Sequence, residues 1–244
     1  MTGMGRMTAR AAVAAGALAV TALTGAAAEA AAGAAVPPAS PAGVFTVTST
    51  GSATGAGAGA WRLPRNFLLY EAQARKPVRY PEEEEWTISD RRRDLGLRPC
   101  GPGRPVDAGR VGTRTVTYSA PEFYKAEQVT VYRSERAARA AVADVLKRVG
   151  RCRDDTSDQV VFKGWTERVE AGDQAARVVI QSYDRGSGRP AIGGQRAVVV
   201  RKGRAVAIYV RAGEYGQVRR TDFSRQLKDA RKMAAKVCSL PGVC

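Results

Sequence analysis

The sequence predicts an α+β domain: one twisted antiparallel sheet with two main helices packed on one side, held by two disulfides. Three observations predict it. Several segments beyond residue 110 alternate apolar and polar residues at the two-residue period of a strand. Two others, one mid-chain and one C-terminal, space their apolar residues at the helical period. Four cysteines, Cys100, Cys152, Cys238 and Cys244, stand at the predicted helix ends and in a Pro-rich entry segment.

The elements follow in chain order. Residues 1–30 read as a signal peptide: Arg6 and Arg10 precede an apolar run from Ala11 to Leu23, and "AEA" at Ala28 to Ala30 fits a cleavage site. The apolar run is too short and too Ala-rich for a good membrane span. No cysteine lies near that cleavage site, so a lipid anchor there is not expected. Residues 31–60 carry no charge and are dominated by Ala, Gly, Pro, Ser and Thr, the composition of a flexible linker. Residues 61–244 have globular composition and are numerous enough for one domain with its own core.

Within that domain, the cluster Phe67, Leu68, Leu69, Tyr70 predicts a short helix or turn packed on the core. Pro77, Pro81, Pro99, Pro102 and Pro105 then break any long element. "RTVTYSA" predicts a strand with Val116 and Tyr118 on one face, and "QVTVYR" a strand with Val129 and Val131 opposed to Thr130 and Tyr132. Ser134 is placed as an N-cap with Glu135 in the first turn. The helix after it puts Ala138, Ala141, Val142, Val145 and Val149 on one face, and Gly150 after its last turn. Strands are expected at Gln159 to Val169 and Ala176 to Asp184. A hairpin with arms at Ala197 to Val200 and Val206 to Val210 turns near Lys202 and Gly203. The last helix starts near Thr221 and aligns Phe223, Leu227, Ala230, Ala234 and Val237.

An even cysteine count in an exported chain reads as two disulfides. The turn at Pro241 and Gly242 makes a small loop from Cys238 to Cys244 sterically reasonable, which leaves Cys100 with Cys152. Sequence alone leaves the other connectivities open. The formal charge is +16, which outside a cell favours anionic wall polymers, phospholipid head groups or acidic partners.

The chemical inventory is thin. The chain has no histidine, which excludes His-based triads and His metal sites, and no C-x-x-C pair. No cofactor or metal is expected. Glu82 to Glu85 offers carboxylates for glycoside hydrolysis, but a Pro-flanked acidic run reads better as a solvated patch. Asp154, Asp155 and Asp158 lack the glycine and terminal Glu of an EF-hand and read as a polar turn. Gly186 to Gly194 reads as a mobile connection. Arg225, Lys228, Arg231, Lys232 and Lys236 line the polar face of the last helix and form the candidate anionic-surface binding site. With no aromatic residue interleaved on that face, nucleic acid is not expected as a partner.

The unit "EQVTVYRSERAARAAVADVLKRVGRC" resembles the strand-helix-Cys unit of actinobacterial PknH-like extracellular sensor domains. The entry "LPRNFLLYEA", the hairpin "RAVVVRKGRAVAIYV" and the closing "ARKMAAKVC" share the resemblance, which covers most of 61–244. It implies an antiparallel sheet with helices, two disulfides, a cleft for an extracellular ligand and no enzymatic activity. This chain has no kinase domain and no lipobox, and fold-level analogy does not establish function. The expectation is a secreted, non-catalytic ligand-binding domain at the cell envelope. The alternative is a basic protein held electrostatically to an anionic cell-wall polymer, and an exported carboxylate hydrolase ranks below both.

Overall fold

The computed structural model describes residues 61–91, 97, 100, 108–152 and 159–244. The expected signal peptide, the linker, and Asp154, Asp155 and Asp158 lie outside the described residues. The chain forms a seven-stranded sheet in the order β1-β2-β3-β7-β6-β5-β4, every neighbouring pair antiparallel. Its strands are β1 (Glu85–Ser89), β2 (Arg110–Ala120), β3 (Phe123–Tyr132), β4 (Val160–Arg168), β5 (Gln174–Asp184), β6 (Pro190–Lys202) and β7 (Ala205–Gly213). Three helices join them: α1 (Glu71–Ala74), α2 (Glu135–Gly150) and α3 (Ser224–Lys236).

The two main helices lie on opposite faces of the sheet, which corrects the expectation of one side. Ala138, Val142, Val145 and Val149 of α2 pack with Val178, Ile180, Ala197, Val199, Ile208 and Val210. Ala230, Met233 and Ala234 of α3 pack with Val129, Val179, Val198, Val200, Ala207 and Tyr209. These strand residues are the two alternating sets of β5, β6 and β7. The sequence carries the reason: "AVVV" and "AVAIYV" are continuous apolar runs, the pattern of strands buried on both faces, whereas one covered face would leave clean alternation. Phe67 and Leu68 join the α3 layer.

The α2 prediction holds in detail. Ser134 Oγ accepts from the Ala137 N–H, and the five expected residues are the buried ones. The helix runs through Gly150 and is capped by Arg151, so Gly150 does not act as its stop. β1 is absent from the sequence-based expectation because the acidic run and its prolines mask it; only Glu85 enters the strand, and Glu82 and Glu83 are exposed. The Gly-rich connection is pinned rather than open. Pro190 onward belongs to β6, the Gln181 amide donates to the Ala191 and Gly193 carbonyls, and Asp184 accepts from Ser187.

Both disulfides take the expected pairing, with Cα atoms 4.9 Å apart in Cys100–Cys152 and 5.1 Å in Cys238–Cys244. Each holds the chain just beyond a main helix. Cys152 follows α2, and its carbonyl accepts from Gly164 on β4. A Cβ on Gly164 would collide with the Val149 carbonyl, so the close approach requires glycine. The terminal loop places Val243 under the β6–β7 turn. There its carbonyl accepts from Arg204, and Gly203, at φ +53°, leaves no room for a side chain. The final cysteine therefore anchors a chain end that caps the hairpin.

Candidate functional site

The α2 side of the sheet is apolar beneath the helix, and its buried polar groups are paired with one another: Gln128 with Thr115, Thr113 with Thr130, and Arg201 with Asp173. The α3 side differs, and strand register shows how its polar groups are assembled. Glu127 of β3, fully buried, faces Tyr209 of β7. Its carboxylate accepts from the Tyr209 hydroxyl at 2.7 Å and from the backbone N–H groups of Leu69 at 3.0 Å and Tyr70 at 2.6 Å. The Tyr70 hydroxyl donates to Asp229 of α3 at 2.9 Å. Burial raises the Glu127 carboxyl above its usual range, and these hydrogen bonds oppose the rise. Nearby, Glu71 is paired to Arg114 of β2 by two hydrogen bonds of 2.7 and 2.8 Å. Burial alone would raise the Glu71 carboxyl; Arg114 and the Leu68 and Asn66 amides overcome that and hold it at about 2. Both networks fix the entry segment to the sheet.

One residue pair further toward the sheet's edge, the same register builds a row of different character. Trp86 faces Tyr118, Tyr118 faces Lys125, Lys125 faces Arg211, and Arg211 faces Arg196. Three cations thus stand side by side on β3, β7 and β6, whose backbones are about 4.8 Å apart. Like charges placed directly opposite are destabilising. The Lys125 ammonium lies 4.6 Å from the Trp86 ring centroid and 5.4 Å from those of Tyr70 and Tyr118. Burial lowers its pKa first, and the Arg211 and Arg225 charges lower it further, against Asp229. Arg196 is committed: it pairs with Asp222 at 3.1 Å, donates to the Gly216 carbonyl at 3.0 Å and lies 4.2 Å from the Tyr215 ring centroid.

Arg211 differs. It is half-buried and no carboxylate among the described residues pairs with it; its buried Nε, like that of Arg196, has no hydrogen-bond partner. The Tyr215 hydroxyl, also buried, has none either. Two buried polar atoms, the Arg211 Nε and the Tyr215 hydroxyl, are thus left unsatisfied close to this row. Phe123 and Tyr215, with centroids 6.4 Å apart, form an aromatic margin.

The residues expected from sequence divide. Arg225, Lys228, Arg231 and Lys232 are exposed on α3. Arg225 bears on Lys125, so it alone of the set joins the cation row. Arg231 donates to the Glu170 carbonyl. Lys236 is half-buried, donates to the Phe67 carbonyl and lies over that ring, because the last turn of α3 rests on the entry segment. Lys125, Arg211 and Arg196 escaped sequence reasoning. Their signal is parity: Arg211 shares the strand face of Ala205, Ala207 and Tyr209. A cation in register with core residues stands out only once the core face is assigned.

The chain is thus a two-faced α+β domain with a cation row on one side. No family model and no curated protein matches it. Among solved structures it is similar to the extracellular domain of PknH from Mycobacterium tuberculosis, at 12% identity and TM-score 0.36, over 55% of this chain and 65% of that one. It is also similar to a putative uncharacterized protein from Mycobacterium smegmatis, at 11% identity and TM-score 0.33, over 62% of this chain and 88% of that one. The match spans less than two thirds of the PknH domain. The likeness is one of fold alone, and the site described above does not rest on it. Among the described residues, no group of Asp, Glu and Cys is placed to hold a metal, and no helix is long and apolar enough to cross a membrane.

Proposed function

We propose that this protein is a non-catalytic extracellular binding domain that captures a compact anionic group, such as a phosphate or carboxylate, at Lys125, Arg211 and Arg225. The observation that carries the reading is Arg211, a half-buried guanidinium in a row of like charges without a carboxylate of its own. The two disulfides support an oxidising compartment. The groups around Arg211 bind and orient charge. None is paired as nucleophile and base, which fits capture rather than turnover.

Isothermal titration with pyrophosphate at fixed ionic strength tests the reading. Saturable 1:1 binding that disappears in Arg211→Met is the expected result. Absence of binding, or equal binding by Arg211→Met, contradicts it. A second reading, electrostatic retention on an anionic wall polymer, is favoured by the exposure of Lys228 and Lys232 beside Arg225. It predicts that retention on isolated walls is lost at high salt and in Lys228→Glu/Lys232→Glu, while Arg211→Met leaves it intact.

A further inference from the structure

Trp165 ends the same cross-strand row at the opposite edge of the sheet, on the same face. It lies on the edge strand β4, faces Val179 of β5, and is 40% exposed. An indole left open on an edge strand is an aggregation hazard that natural sheets usually cover or replace with charge. Here it is one wall of a cavity of about 270 Å³ whose apolar base is completed by Val179 and Phe223. The remaining wall is charged. The Glu167 carboxylate accepts from Arg177 at 3.3 Å and pairs with Arg220 at 3.0 Å, so one acid holds two guanidiniums in place. Arg219 adds a further positive charge at the rim. The lining therefore carries three cations against one anion.

We propose that this cavity is a subsite for an acidic pyranose, a sugar ring bearing a carboxylate. The polarised C–H face of a pyranose packs on the electron-rich face of an indole. Its carboxylate matches the planar donor fork of Arg219 or Arg220, the geometry for which arginine is suited. Its hydroxyls find donors and an acceptor in Arg177 and Glu167. A purely apolar ligand would make no use of the excess positive charge that Glu167 does not balance, and a bare anion would leave the indole open. The combination of flat ring face, hydroxyls and negative charge uses every wall. The site is separate from the Lys125–Arg211 row: β6 lies between them, and its Arg196 is closed over by contacts with Tyr215, Gly216 and Asp222. Either assignment can fail without the other.

The test is a set of ¹H–¹⁵N NMR titrations of the intact chain at constant ionic strength, with the Trp165 indole N–H assigned through its loss in Trp165→Phe. Methyl glucuronide is expected to shift that resonance saturably, and methyl glucoside to bind about fivefold more weakly, for loss of the charge contact at roughly 1 kcal/mol. Acetate is expected to give no saturable shift there. Followed at the backbone amides of residues 217–220, Trp165→Ala is expected to weaken glucuronide binding about tenfold, the loss of one stacking platform. Arg219→Gln/Arg220→Gln is expected to equalise the two sugars. The proposal is overturned if glucuronide gives no shift, or if the two sugars bind equally to the unmodified protein. It is likewise overturned if acetate reproduces the shift, or if uridine monophosphate binds more tightly than glucuronide, which would assign the cavity to a nucleotide base.

Discussion

The two faces of the sheet are built from the same strands and differ in almost everything else. Under α2 the helix seats on a dry patch of small and β-branched residues such as Val142, Val145, Val178 and Val199, and the polar groups on that face, Gln128–Thr115, Thr113–Thr130 and Arg201–Asp173, satisfy one another. Under α3 the sheet holds the same kind of core, crossed by Glu71–Arg114, Glu127–Tyr209 and the row Lys125–Arg211–Arg196. The difference teaches where to look for function. A face whose buried polar groups pair with one another is explained by folding alone. A face that places three cations in register and, among the described residues, gives only Arg196 a carboxylate partner is where a binding site is to be sought.

The largest expected effects come from breaking the polar side. Arg114→Met leaves Glu71 buried and unpaired and is expected to cost about 3–5 kcal/mol in denaturant unfolding, whereas Glu71→Leu/Arg114→Met recovers most of it. The same pair sets a pH dependence. The Glu71 carboxyl is held at about 2 in the folded protein, below its unfolded value, so its contribution is complete above pH 4.5 and is lost as pH falls toward 2. In Glu71→Gln this part of the acid slope should vanish. A slope that persists unchanged would show that the pair is not the acid-sensitive element.

Next are the staples, one for each face. By loop-closure entropy, Cys100→Ser/Cys152→Ser opens a separation of 52 residues and is expected to cost about 4 kcal/mol. Cys238→Ser/Cys244→Ser opens a separation of 6 residues and is expected to cost about 2 kcal/mol. Equal losses in calorimetry would mean that local packing, such as Val243 beneath Gly203, outweighs loop length. In the dry patch, Val142→Ala is expected to cost about 2 kcal/mol through the cavity it leaves. A cost near zero would mean that the α2 layer repacks freely and is less tightly built than its burial indicates.

How much of this was legible follows the same division. The α2 helix could be read residue by residue, because Ser134 caps it and its apolar face repeats at the helical period without interruption. The strands from Val160 onward and the hairpin turn at Gly203 were legible from their runs of β-branched residues and the glycine between them. Which face each helix covers was not. A strand buried on both sides loses its alternation, and "AVAIYV" then carries no mark of which residues meet which helix. β1 was hidden by its acidic, proline-flanked approach. The basic face of α3 was legible as composition, yet only Arg225 of that face joins the cation row. Lys125, Arg211 and Arg196 lie 86 residues apart at the extremes of the sequence. They become neighbours only through the β3–β7–β6 pairing, a long-range register that local pattern does not encode.

The smallest expected change in stability belongs to the residue that matters most for the proposed function. Without ligand, Arg211→Met removes a like charge from the row and is expected to leave the protein as stable as before or up to about 1 kcal/mol more stable. The decisive measurement is therefore the melting temperature of the unmodified protein and of Arg211→Met, each with and without saturating pyrophosphate at equal ionic strength. A crossing is predicted: the variant melts at the same or a higher temperature in plain buffer, and the unmodified protein melts higher once the anion is present. At a hundredfold excess over the dissociation constant, the gain corresponds to about 2.7 kcal/mol. Parallel shifts in both proteins, or a variant that is destabilised in plain buffer and equally rescued by pyrophosphate, would contradict the assignment of Arg211 as an anion-capturing residue.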